Sequence, residues 1–133
     1  MNLIHLEIYT PKGKYLEIDC DYFSLTSTVS VLGILPGHAP LITKIKICPL
    51  TIKYQDKVFK YALGGGLLNI KKDHSAVLLV DSIERSDEID YFRAEEAKRR
   101  AEERLTSSNN EIDITRAKAA LSRALNRLSI KDK

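Results

Sequence analysis

The sequence predicts a β + α chain in which an N-terminal antiparallel β-sandwich, residues 1–84, is followed by a C-terminal antiparallel two-helix hairpin, residues 85–133. Three observations carry this. All six glycines and all four prolines fall before residue 67, which confines the strongest turn formers to one part of the chain. In that part apolar residues alternate with period two, and from about Asp87 onward they take helical spacing. The helical part also repeats itself. Ile89–Leu105 (IDYFRAEEAKRRAEERL) matches Ile112–Leu128 (IDITRAKAALSRALNRL) at nine of 17 positions with a constant offset of 23.

Taken in order, Ile4, Leu6 and Ile8 alternate with His5, Glu7 and Tyr9, and Leu16, Ile18 and Cys20 alternate with Glu17 and Asp19. These are half-buried strands, with Pro11–Gly13 as the turn between them. Further strands are expected at Asp21–Ser30, Ile42–Cys48, Leu50–Tyr54, Val58–Leu63, Leu67–Ile70 and Ala76–Val80, with turns near Gln55–Lys57 and Lys71–His74. Short strands at close intervals suggest a sandwich or barrel. Two helices of about 19 residues, each about 28 Å long, follow on either side of the break at Thr106–Asn110. So short a link makes them antiparallel, and such a hairpin is marginal unless it leans on a surface.

On a helical wheel Ala97, Ala101 and Leu105 share one stripe, matched by Ala120, Ala124 and Leu128. Small side chains there let two backbones approach closely. Beside the stripes lie Arg93, Arg100 and Arg104 on one helix and Arg116, Arg123 and Arg127 on the other. Two readings stand open for these arginines. One is ordinary surface pairing, with Glu96–Arg100, Glu95–Arg99 and Glu103–Arg99 at intrahelical spacing. The other is a border of guanidiniums that closes around a nucleotide polyphosphate, with Asp90 and Glu84 toward its entrance.

Composition excludes several functions. A formal net charge of +3, from 21 basic and 18 acidic side chains, is too small an excess for nucleic acid, and no aromatic stacking platform accompanies the arginines. No apolar run spans a bilayer, and Met1–Tyr9 alternates instead of forming a targeting segment, so no direct membrane insertion is expected. Cys20 and Cys48 lie far apart without a CxxC pattern and read as buried, reduced thiols. His5, His38 and His74 lack ligand partners at metal-binding spacing in the sequence. Gly64–Gly66 is followed by Leu67 and Leu68 where a phosphate loop needs Lys and Ser or Thr. No nucleophile–base signature occurs, so neither catalytic residues nor a metal are expected.

The segment Gly33–Pro40 (GILPGHAP) followed by Leu41, the Gly65–Gly66 pair opening a strand, and the Ile-Asp-x-x-Arg-Ala start of the hairpin, in this order, resemble the ε-subunit family of bacterial F-type ATP synthases. The resemblance covers essentially the whole chain. It implies a ten-stranded sandwich docked on the γ subunit and the c-ring, turning with both as part of the central stalk, on the cytoplasmic side of the bacterial cell membrane and peripheral to it. It places Pro36, Gly37 and His38 at the c-ring end, and Val31 where many relatives carry an acidic residue. It also implies a non-catalytic subunit whose mobile hairpin inhibits ATP hydrolysis. Extended, the two helices would reach about 55 to 60 Å, bringing Arg116, Lys118, Arg123 and Arg127 to the catalytic α and β subunits. Relatives that bind ATP on the folded hairpin have ligand positions matching Glu84, Asp90, Arg93, Arg100, Arg123 and Arg127. No cofactor is required, and ATP is the expected regulatory ligand. The alternative is a stand-alone adaptor, in which the sandwich binds a protein and the hairpin oligomerises; such an adaptor would not co-purify with γ and a c-ring.

Overall fold

The computed structural model of the chain describes residues 2–107 and 110–131. Eight strands precede two helices: β1 (Ile4–Thr10), β2 (Gly13–Cys20), β3 (Tyr22–Thr26), β4 (Val31–Ile34), β5 (Leu41–Tyr54), β6 (Lys57–Ile70), β7 (Ala76–Val80), β8 (Ile83–Arg85), α1 (Tyr91–Ser107) and α2 (Glu111–Ser129). The expected β-sandwich with a C-terminal helical pair is the architecture found.

One continuous ladder runs β2-β1-β7-β6-β5-β3-β4, with β8 also on β6. All pairings between strands are antiparallel except β1 with β7, where Leu6 lies beside Ala76 and Ile8 beside Leu78. Inward side chains from both ends of the ladder meet in a single core. Ile4, Leu6, Ile8 and Leu78 come from one end; Phe23, Leu25, Ile34 and Ile52 come from the other.

The ladder folds into two layers at the middle of β5 and β6. Each of these strands is 14 residues long and belongs to both layers, so eight strands do the work of the expected ten. The expected breaks inside them, between Cys48 and Leu50 and between Leu63 and Leu67, are not chain reversals. They mark a change of phase. Along β5 the buried positions are Ile45 and then Cys48, Leu50 and Ile52; along β6 the main core takes Tyr61 and Leu63 and then Leu68 and Ile70, while Gly65 is buried at the change of phase and Ala62 is buried with Ile89 and Ile130. The pairing keeps its register across this point but skips the rung between Lys46 and Gly65, where Gly65 takes φ +101°. A side chain at Gly66 would drive into the carbonyl of Leu79, so the backbones here approach as only glycine allows.

The expected strand Asp21–Ser30 stops early. Ser27 ends it: its buried hydroxyl oxygen accepts from the amides of Val29 and Ser30, and the amide of Ser27 donates to the carbonyl of Ser30. The resulting turn sends the chain back as β4, a strand the sequence pattern did not reveal because Val31 and Gly33 are exposed and only Ile34 is buried.

Each helix starts on a side-chain cap. Asp90 Oδ1 accepts from the amide of Arg93, and Asn110 Oδ1 accepts from the amide of Ile112. The repeated Ile-Asp therefore has two fates. Ile89 precedes α1 and is buried with Ala62 and Ile130, whereas Ile112 lies inside α2 and is exposed. Of the expected break at Thr106–Asn110, Ser108 and Asn109 lie outside the described residues. The alanine stripes meet, and they extend one turn further than expected, since Ala94 and Ala117 are buried together with Ala101 and Ala124. The helix that lies on the sandwich is chiefly α2, against β5 and β6.

Candidate functional site

Between the hairpin and the edge of the sandwich lies a cavity of about 290 Å³. One wall is Glu84 of β8. Asp90, Arg93 and Arg100 come from the start of α1 and the turns above it, and Arg127 comes from α2. Ala94 and Ala97 form the floor, and their small side chains leave the room. Helical spacing explains the grouping, because residues 93 and 94 each lie three or four from residue 90, residue 97 lies three or four from both, and residue 100 lies three beyond that, so all share one face. Three guanidiniums thus surround two carboxylates.

Both carboxylates are engaged. Glu84 Oε1 accepts from Arg127 Nε at 2.5 Å, an ion pair joining sandwich to hairpin, with both side chains about one-third exposed. Asp90 is occupied by the α1 cap. Arg127 is bound through Nε, which leaves the terminal nitrogens of its fork available to another acceptor. The arrangement is a cationic, partly enclosed site open to an anion, and it holds no nucleophile–base pair.

Five of the six residues expected at a nucleotide line this one cavity: Glu84, Asp90, Arg93, Arg100 and Arg127. Arg123 does not. It lines a small adjoining recess that shares Glu84 and Arg127 with the cavity and also includes Ser82 and Asn126. Of the expected surface pairs, Glu103–Arg99 forms, at 3.3 Å, but Glu96 pairs with Arg99 at 2.5 Å in place of Arg100. That exchange leaves Arg100 facing the cavity. Arg116 and Lys118 are exposed on α2 and line no part of the cavity. Sequence reasoning missed Asn126, although one signal was present: at this repeat position α1 carries an exposed glutamate, Glu103, and the match between the helices fails.

At another surface, Leu35–His38 forms a tight turn in which the amide of His38 donates to the carbonyl of Leu35 at 3.2 Å. Pro36 and Gly37 occupy its centre, and Gly37 has φ +81°, as a type II turn requires. The ring of His74 donates through Nδ1 to the carbonyl of His38 at 3.1 Å, tying this turn to the β6–β7 turn. Val31 is 74% exposed, and Val29, Leu35 and Ile42 are also exposed.

His5 is less isolated than its sequence neighbours suggest. Strand pairing brings its Nδ1 to 2.7 Å from Asp19 and its Nε2 to 3.0 Å from Glu17 and 3.7 Å from Glu7. Lys14 also meets Glu17, at 2.6 Å, so the cluster already contains a cation. Cys20 and Cys48 are buried and unpaired; burial pushes the Cys20 thiol up to about 11 and raises that of Cys48, which keeps both as thiols.

Residues 3–86 match the beta-sandwich domain of the ATP synthase Delta/Epsilon chain, and residues 87–132 match its long alpha-helix domain. The chain is 42% identical over 123 residues to an ATP synthase epsilon chain of Desulforamulus reducens, covering 92% of each. It is 38% identical over 130 residues to that of Bacillus licheniformis, covering 98% of each. In fold it is similar to a chain in the mitochondrial ATP synthase (OSCP/F1/c-ring) structure of Euglena gracilis, with a TM-score of 0.87 at 17% identity over 97% of this chain and 81% of that one. No helix among the described residues is long and apolar enough to cross a membrane.

Proposed function

Since this chain belongs to the ε-chain family of ATP synthases, we propose that it is a non-catalytic rotor subunit that couples γ to the c-ring and regulates ATP hydrolysis through its hairpin. The sandwich is the coupling part. Its exposed apolar residues Val29, Val31 and Leu35, with the Pro36-Gly37-His38 turn that follows them in the chain, are suited to a protein partner. In this reading the complex sits on the cytoplasmic side of the bacterial membrane, with the chain peripheral to the lipid.

The hairpin is the switch. The observation that carries this is the cavity closed by Glu84, Asp90, Arg93, Arg100 and Arg127, because its walls come from three elements that meet only when the hairpin is folded back. A triphosphate held there would bind the compact form and not the extended one. ATP then favours compaction by about 2.7 kcal/mol at a concentration of 100 times its dissociation constant. When ATP is scarce, the hairpin extends along γ, and Arg116, Lys118, Arg123 and Arg127 meet acidic surfaces of the α and β subunits and block hydrolytic rotation.

Calorimetric titration with ATP and ADP, alongside a fluorescent donor–acceptor pair on sandwich and hairpin, tests the reading. Saturable ATP binding accompanied by compaction is expected, and replacing Arg93 and Arg100 together with alanine should abolish both. Compaction on ATP addition in the double variant would show that the site lies elsewhere. Co-purification with γ and the c-ring tests the rotor role and separates it from a stand-alone adaptor.

A further inference from the structure

Among the described residues of the hairpin, Asn126 is the buried polar side chain, at 8% exposure. Its Nδ2 donates to two carbonyls, Cys48 at 2.9 Å and Leu63 at 3.1 Å. These two residues face each other across β5 and β6, beside the skipped rung where the ladder changes phase. One amide thus grips both strands at the bend. The other buried residues of α2, Ala117 and Ala124, carry no polar group and cannot fix a helix at one position on a sheet.

A buried carboxamide is costly unless its atoms are bonded. Here the donor is satisfied twice, while Oδ1 has no partner. Asn126 lines the small recess together with Arg123, Ser82 and Arg127, so this acceptor belongs to a polar space continuous with the walls of the cationic cavity. Arg127 follows Asn126 directly in the helix and reaches Glu84. The matched position of α1 carries Glu103, which is exposed and paired with Arg99, so the amide belongs to the helix that docks.

We propose that Asn126 is the positioning residue of the compact hairpin: its carboxamide latches α2 onto the Cys48–Leu63 pair and thereby sets Arg127 across the cavity from Arg93 and Arg100. The latch is a property of the chain alone. Its effect on ATP rests on the nucleotide reading above.

The test is amide hydrogen exchange on the full chain, wild type against Asn126→Leu, first without nucleotide. Leucine keeps most of the volume and removes both hydrogen bonds. Amides of α2 should exchange about 10-fold faster or more, from the loss of two buried bonds, while β1 and β7 keep their wild-type protection. If leucine disturbs the sandwich, Asn126→Ser is read in the same way. Exchange of α2 within about twofold of wild type, in the variant whose sandwich stays protected, overturns the latch. Calorimetry with ATP on the same proteins should show weaker binding in the variant. Equal affinity overturns the positioning of Arg127. A wild type that binds no ATP removes the nucleotide reading alone, and the exchange comparison then decides the latch.

Discussion

Asp90 has two duties that its substitutions separate. Its carboxylate caps α1 and also lines the cavity. Asp90→Ala loses both and should cost about 1 kcal/mol of helix stability, seen as faster amide exchange in the first turn of α1. Asp90→Asn keeps a capping oxygen and loses only the charge, so α1 protection should hold, and on the proposed nucleotide reading ATP affinity changes. His5 offers a different reading of charge. The hydrogen bond to Asp19 raises its pKa above the ordinary imidazole value, helped by the charges of Glu17 and Glu7. The protonated form is favoured in the folded chain, so the stabilisation is complete below the unfolded imidazole range and is lost as pH rises through the higher folded midpoint. An NMR titration of the His5 ring should place that midpoint above the ordinary value, and Asp19→Asn should bring it down.

The elements that sequence periodicity could identify were those with one face buried throughout. β1 and β7 alternate cleanly, and the alanine stripes mark the helical seam. β5 and β6 escaped as single strands because their alternation changes phase midway, and a pattern that slips by one residue reads as two strands. β4 escaped because it is four residues long and its outward positions, Val31 and Gly33, give no polar alternation. For the site, spacing brought the α1 residues to one face, but nothing local could say that α2 sets Arg123 in the adjoining recess and outside the cavity, or that Asn126 faces the sheet. Those placements depend on tertiary docking. The phase change makes a sharp prediction: Gly66→Ala forces a methyl group against the backbone of β7 and should cost about 1–3 kcal/mol or more, read as a fall of several degrees in the midpoint of thermal unfolding. An equally stable Gly66→Ala protein would mean that β6 and β7 are not held this close.

At the scale of the whole molecule, the 19 residues of the main core come from the strands, and none comes from the helices. Removing residues 87–133 should therefore leave a sandwich that still unfolds cooperatively by circular dichroism. The hairpin alone, with alanines for a seam, should be largely unfolded in water. This asymmetry suits the proposed switch, a stable body carrying a part that detaches. The parallel pairing of β1 with β7 has a further consequence for how the chain is made. Until Ala76–Val80 leaves the ribosome, Leu6 and Ile8 have no strand on that side, and β1 with β2 is a two-stranded ribbon with little stability of its own. Domains complete during synthesis only when their last necessary segment has emerged. The sandwich closes late, the helices are translated after it, and α2 first meets a surface that is already finished.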